Sequence, residues 1–258
     1  MNNVKTIIWH TVICLMRNYI YIGFFSAALI LIGFAFICAN VTGLFQERVF
    51  IDSSMFFIEL ISVITAVFIS STTIIKDIQS KEVYYILSRP ISKNQYVIGR
   101  YLGVSICVLF MHLIITFLFV VISLIFHLEL SNIMKLNFFV VSSLKILLIC
   151  SISLIFSTYS TSFFPAIMLS FVSIITFEFL ESLKYWLTFN QPNVILQSIY
   201  KVLFFVMPNF IYYDIFFMFD MHKFSSLSRY VFSLSLYTFF YAAAFLIISL
   251  ISFNKRSI

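Results

Sequence analysis

Only 10% of this 258-residue chain is Asp, Glu, Lys or Arg, so the places where charge gathers are the first candidates for chemistry. The densest is the run Asp77, Lys81, Glu82 and Arg89, with Tyr85, Leu87 and Pro90 among them. Mixed signs interleaved with aromatic and aliphatic side chains suit recognition of another surface, by ion pairs and apolar contact together. A second set, Glu59, Lys145 and Glu178, lies inside or beside long apolar runs. A charge near a bilayer centre costs roughly 2.5 to 3.5 kcal/mol on insertion scales, so such residues usually face protein or water. Glu59 and Lys145 are therefore candidates for lining a translocation path; the other reading is that they pair with one another or snorkel toward the outer surface.

Bond-making chemistry finds no residues to carry it. His10, His112, His127 and His222 are scattered without ligand spacing, and no Ser, His and Asp can be placed together on one face. Cys14, Cys38, Cys107 and Cys150 lie in or beside apolar segments without the short paired spacing of a zinc or redox site, and read as small core residues. No Gly-rich loop ends in Gly-Lys-Ser or Gly-Lys-Thr, so the chain has no Walker-type site of its own for ATP. The expectation is no catalytic residue, no metal and no cofactor on this chain.

The elements that must position the charged run follow from its punctuation. Ile74 to Gly103 is the one long polar segment in an otherwise apolar chain. Asp77 to Pro90 has the pattern of an amphipathic docking helix, and Pro90 ends it, because a residue before proline is driven out of the α region. Ser92-Lys93-Asn94-Gln95 then has capping-box spacing, which starts a new helix. Gly99-x-x-x-Gly103 near its beginning lets another helix approach closely in lipid. The segment is expected to run helix, break, helix.

The remainder is membrane. At 62% hydrophobic and 19% aromatic, the chain has too little polar surface for a soluble domain of this size. The net charge of +6 is spread over connections and not gathered in one patch, which argues against nucleic acid. A span needs about 20 apolar residues, and spans are expected at about 19–40, 55–75, 99–126, 137–157, 163–180 and 230–253, forming one transmembrane domain over 1–258. An interfacial helix precedes them, with Val4, Ile8, Val12 and Leu15 at helical spacing. Residues 41–54 and 127–136 are expected as connections. The apolar runs 194–207 and 211–219, split by Pro208-Asn209, are expected as re-entrant or interfacial pieces before the sixth span. The first apolar stretch exceeds the length of a signal-peptide core, so it is expected to remain in the mature protein. Lys5, Arg17, Lys76, Lys81, Arg89, Lys93, Arg100, Lys255 and Arg256 all fall on one side if the spans alternate, against Asp77 and Glu82 alone. By the positive-inside rule that side, with both termini, is cytoplasmic.

The order of an acidic residue, then Ile86-Leu87-Ser88-Arg89-Pro90-Ile91-Ser92-Lys93, then Gly99-Arg100 resembles the cytoplasmic coupling loop of type 2 ATP-binding-cassette permeases. Met207-Pro208-Asn209-Phe210 with Asp214 is similar to a segment before the last span in some bacterial members. The sequence departs from the pattern at Gln79, where many members carry a second acid, and at Lys81, where many carry glycine. The resemblance implies an all-α membrane subunit in a bacterial cytoplasmic membrane, working as a dimer with itself or a related permease. It further implies a separate ATP-binding subunit that carries ATP and Mg and meets Asp77, Lys81, Glu82, Tyr85, Leu87, Arg89 and Pro90. Most members are exporters. A reading from a different class is a six-span membrane enzyme or lipid-handling protein whose basic loop binds anionic headgroups.

Overall fold

The computed structural model describes residues 2–41, 46–125, 132–190, 203–204, 207–213 and 227–256. Among these the chain is all-helical: α1 (Asn2–Met16), α2 (Tyr19–Val41), α3 (Gln46–Gln79), α4 (Glu82–Leu87), α5 (Lys93–Ile125), α6 (Asn132–Tyr159), α7 (Phe163–Asn190), a 3-10 turn (Phe210–Tyr213) and α8 (Leu227–Asn254). Six of them, α2, α3, α5, α6, α7 and α8, are long and apolar enough to cross a membrane.

Several helices run beyond the apolar stretches that announce them. Residues 46–54, expected in a connection, are the first turns of α3, where Arg48 and Asp52 pair at i,i+4 spacing. Helix α5 begins at Lys93, six residues before Gly99, and α7 continues to Asn190. Hydropathy marks only the part of a helix that must sit in lipid, whereas backbone hydrogen bonding carries the helix on into water at little cost. The runs 194–206 and 214–219, along with Asp214, His127 and His222, lie mostly or wholly outside the described residues.

Helix α3 is the axis of the bundle, packing against α2, α5, α6 and α7. It is the most polar of the candidate spans, and its hydroxyls are absorbed locally. Ser62, Thr65, Thr72 and Thr73 donate to the carbonyls of Ile58, Ile61, Phe68 and Ile69, four residues back. Against it α2 lays a stripe of Ala28, Ile32, Ala35 and Ala39, all buried. Small residues at that spacing let two helix backbones approach in lipid, where no hydrophobic force drives them together. On its other side α2 exposes Ile22, Ile30, Phe34 and Ile37, the surface a lipid-facing helix presents.

The amphipathic α1 does not stand apart. It lies along α5, and Ile7 and Thr11, both buried, join the expected stripe. The reason is Gly99 and Gly103: a Cβ on Gly99 would come within 2.8 Å of Ile7 Cγ2, and one on Gly103 within 2.6 Å of Thr11 Cβ. The ends of α5, α6 and α8 meet beside them. Lys93 Nζ donates to the Arg256 carbonyl at 3.1 Å, Asn254 bonds Asn94 at 2.9 Å, and Arg256 Nη1 donates to the Thr158 carbonyl at 3.2 Å. Helix α1, α4, the start of α5 and the end of α8 therefore share one face of the molecule, as six alternating spans require.

Candidate functional site

The polar segment on that face is jointed twice, where the sequence suggested one break at Pro90. Helix α3 carries Asp77 and ends at Gln79. Ser80 and Lys81 donate their backbone N–H groups to the Lys76 and Ile78 carbonyls, closing the last turn. Lys81 then takes the left-handed conformation, φ 62°, which reverses the chain without proline. The six-residue α4 follows and stops at Ser88, whose hydroxyl donates to the Tyr85 carbonyl at 2.9 Å. After Pro90 the expected capping box is in place: Gln95 N–H donates to Ser92 Oγ at 3.3 Å, and Ser92 N–H donates to Gln95 Oε1 at 3.2 Å.

The two joints surround a buried ionic cluster. Asp77 is only 5% exposed and Arg100, from α5, only 3%. Arg100 Nη2 sits 2.6 Å from Asp77 Oδ2 and 4.0 Å from Glu82 Oε2 of α4. The fully buried Tyr96 donates its hydroxyl to Asp77 Oδ2 and places its ring under the Arg100 guanidinium, 5.6 Å from the centroid. The Tyr96 ring also stacks on Phe253 of α8 at 5.5 Å. Arg100 Nη1 donates to Thr11 Oγ1 of α1 at 3.1 Å. One cluster thus ties α1, α3, α4, α5 and α8 together. A pair this deeply buried gains Coulomb energy but loses hydration, so its net contribution is small while the loss of either partner costs about 3 to 5 kcal/mol. Asp77 is therefore a joint holding its own chain, a different task from the surface contact expected of it.

The exposed part of the segment is α4 with the residues that flank it. Val83 is fully buried and roots the helix, with Ile86 and Leu87 packed partly against the core. Facing outward are Lys81, Glu82, Tyr84, Tyr85, Arg89 and Pro90, with Tyr85 76% exposed. Tyr84 adds to the expected set. Its signal was present, because Tyr84 and Tyr85 fall together opposite Val83 once the helix is confined to 82–87. Arg100 enters the sequence reading as a topological charge and as part of the Gly99-Arg100 motif, not as the partner of Asp77; an arginine just inside one apolar stretch and an aspartate just inside another are the sign of such a pair.

A second cluster lies toward the opposite face. Lys145 Nζ of α6 is 2.5 Å from Glu59 Oε1 of α3 and 3.2 Å from Glu178 Oε1 of α7, so the charged residues of the apolar runs are brought together. The ammonium also stands 5.6 Å from the ring of Phe210, which belongs to the 3-10 turn after Pro208-Asn209. That turn is fastened in place: Asn209 N–H donates to the Tyr237 hydroxyl at 2.9 Å and Tyr213 shares a hydrogen bond with Thr238 at 2.7 Å, both on α8. Phe210 packs on Phe177 at 5.9 Å. Glu59 and Asp77 are 18 residues apart on α3, about 27 Å at 1.5 Å per residue. The two clusters therefore stand near opposite boundaries of a hydrocarbon core about 30 Å thick.

A family model described as ABC-2 family transporter protein matches residues 47–207. The chain belongs to the ABC-2 transporter family. No curated protein matches it. This ABC-2 permease is a multi-pass helical membrane protein, and the matched region contains both ionic clusters and α4, while α1 and α8 flank it. Among the described residues no group of three or more His, Cys, Asp or Glu is placed to hold a metal. What the arrangement offers is mechanical: a short exposed helix rooted in a rigid joint between two spans.

Proposed function

We propose that this permease is driven by a separate ATP-binding subunit that docks on α4 and hydrolyses ATP with Mg on its own residues. The observation that supports this reading is the contrast across α4 and the residues just after it: Tyr84, Tyr85 and Arg89 point outward, while Val83 and the Asp77–Arg100–Tyr96 cluster fix its base to four other elements of the bundle. A force applied to the exposed side passes into α3 and α5 together, because neither can tilt without breaking the buried pair. Lys81, Glu82, Leu87 and Pro90 complete the docking rim, and Asp77 serves from beneath it.

The face bearing α4 is cytoplasmic, with both termini, since the free basic residues gather there. Two ATP-binding subunits closing across a two-fold axis call for two membrane chains, each with one α4, so the working unit is a dimer with a second copy or a related permease. The direction is export, from the family resemblance, across a bacterial cytoplasmic membrane. The Glu59–Lys145–Glu178 cluster lies at the outer end of the path, where it clasps α3, α6 and α7.

The test is co-purification. The partner ATPase should be retained by the wild-type chain and lost from the Arg89→Glu, Tyr85→Ala double variant, which should still insert at normal abundance because both side chains are exposed. Full retention with full transport-linked hydrolysis in the variant would remove α4 as the docking element.

A further inference from the structure

A cavity of about 310 Å³ opens between the end of α1, the start of α2 and the last turns of α3. Its polar wall carries Arg17, Lys76 and Arg100, with Asp77 and Glu82 beside them. The two carboxylates are already engaged: Asp77 by Arg100 and Tyr96, and Glu82 within 4.0 Å of Arg100. Arg17 and Lys76, by contrast, are exposed and have no acidic partner among the described residues. Arg100, although buried, also leaves its Nε without an acceptor. Three cations against two carboxylates leave one positive charge over, and the donors left unused belong to cations.

The remaining wall is apolar. Phe68 and Ile69 of α3 form its back, and Ile13 and Ile20, both well exposed, stand at its mouth. Asn18 closes the turn between α1 and α2, its side-chain oxygen accepting the Ile20 N–H at 3.1 Å and its carbonyl the Tyr21 N–H at 3.0 Å. A partly desolvated pocket with a surplus positive charge and unused cationic donors, and with an apolar lip at a membrane boundary, matches an oxyanion carried on an acyl chain.

We infer that this cavity binds a phosphate group, presented as the headgroup of an anionic phospholipid, with the phosphate between Arg17, Lys76 and Arg100 Nε and the acyl chain leaving past Ile13 and Ile20. The bound lipid would touch α1 and α3 directly beside the joint that carries α4, so the lipid environment reaches the docking element. This site does not depend on which partner α4 meets.

The full chain in detergent should bind dioctanoyl phosphatidylglycerol saturably, one per chain by native mass spectrometry. The exposed-residue variant Arg17→Gln, Lys76→Gln should weaken binding about thirtyfold, since each cation near an anionic surface contributes about fivefold. Lys5→Gln, a basic residue of α1 outside the cavity, should leave it unchanged. Weak binding of dioctanoyl phosphatidylcholine and no competition by inorganic phosphate would assign the phosphate to a lipid; equal competition by inorganic phosphate would support the same site with a soluble source. No saturable binding, or equal affinity in the double variant, would overturn the inference.

Discussion

Asp77 and Arg100 show at the level of single residues how a charge in a membrane protein changes meaning with burial. On a loop, each would contribute little to stability; inside, each depends on the other. Arg100→Leu alone should lower stability by about 3 to 5 kcal/mol, while Asp77→Leu with Arg100→Leu should recover much of that loss, because the isolated buried charge is what costs most. A double-mutant cycle by thermal or denaturant unfolding in detergent reads the difference directly. Lys145→Met should behave like Arg100→Leu and lower abundance and melting temperature, since it leaves Glu59 and Glu178 facing each other without a cation. If instead transport falls while stability is kept, the cluster is a substrate contact and not a clasp. Lys81 holds a left-handed backbone at a cost of roughly 1 kcal/mol for a side-chain-bearing residue. Lys81→Gly should therefore raise stability slightly, and Lys81→Val should lower it, by the same unfolding measurement. The charges of these residues were legible in the sequence, but their partners were not. Asp77 and Arg100 are separated by two helix ends and two turns, and only the fold says that both point inward.

The elements themselves were largely readable, because a helix in lipid must satisfy its own backbone and so announces itself as a long apolar run. The capping box at Ser92–Gln95 was equally legible, being a local exchange of hydrogen bonds. Two things were hidden. The first was the break at Lys81, since a lysine in the left-handed region carries no compositional signal. The second was the partner of Gly99 and Gly103, because a small-residue spacing says that some helix comes close but not which one. The structure gives α1, and a consequence follows. Gly103→Leu should push α1 off α5, as its Cβ alone would fall 2.6 Å from Thr11 Cβ, and overpacking of this kind typically costs about 1 to 3 kcal/mol. A disulfide between cysteines introduced at Ile7 and Gly99, where a Cβ on Gly99 would fall 2.9 Å from Ile7 Cβ, tried in a background without the four native cysteines, should form less readily in the Gly103→Leu chain. Unchanged cross-linking would mean that α1 and α5 do not rely on this contact.

The molecule places Lys76, Lys81, Arg89, Lys93, Arg100, Lys255 and Arg256, together with α1, α4 and the end of α8, on one face, and its second ionic cluster near the other. That arrangement makes topology testable, though the structure changes which probe is suitable. Ser54 lies in the expected outer connection but is fully buried in α3, so Glu47, exposed in the first turn of that helix, is the better position. With the native cysteines removed, an impermeant thiol reagent should label Glu47→Cys in intact cells and Lys93→Cys only after lysis; the reverse pattern would invert the protein. The central claim is that force enters through α4. It is tested most directly by a photoreactive amino acid at Tyr85, irradiated in cells, with Phe239 on the lipid-exposed side of α8 as the control position. The account predicts a covalent adduct between position 85 and a chain bearing a Walker motif, and none from position 239. An adduct at 85 with lipid alone, with the ATPase recovered on some other part of the chain, would contradict it.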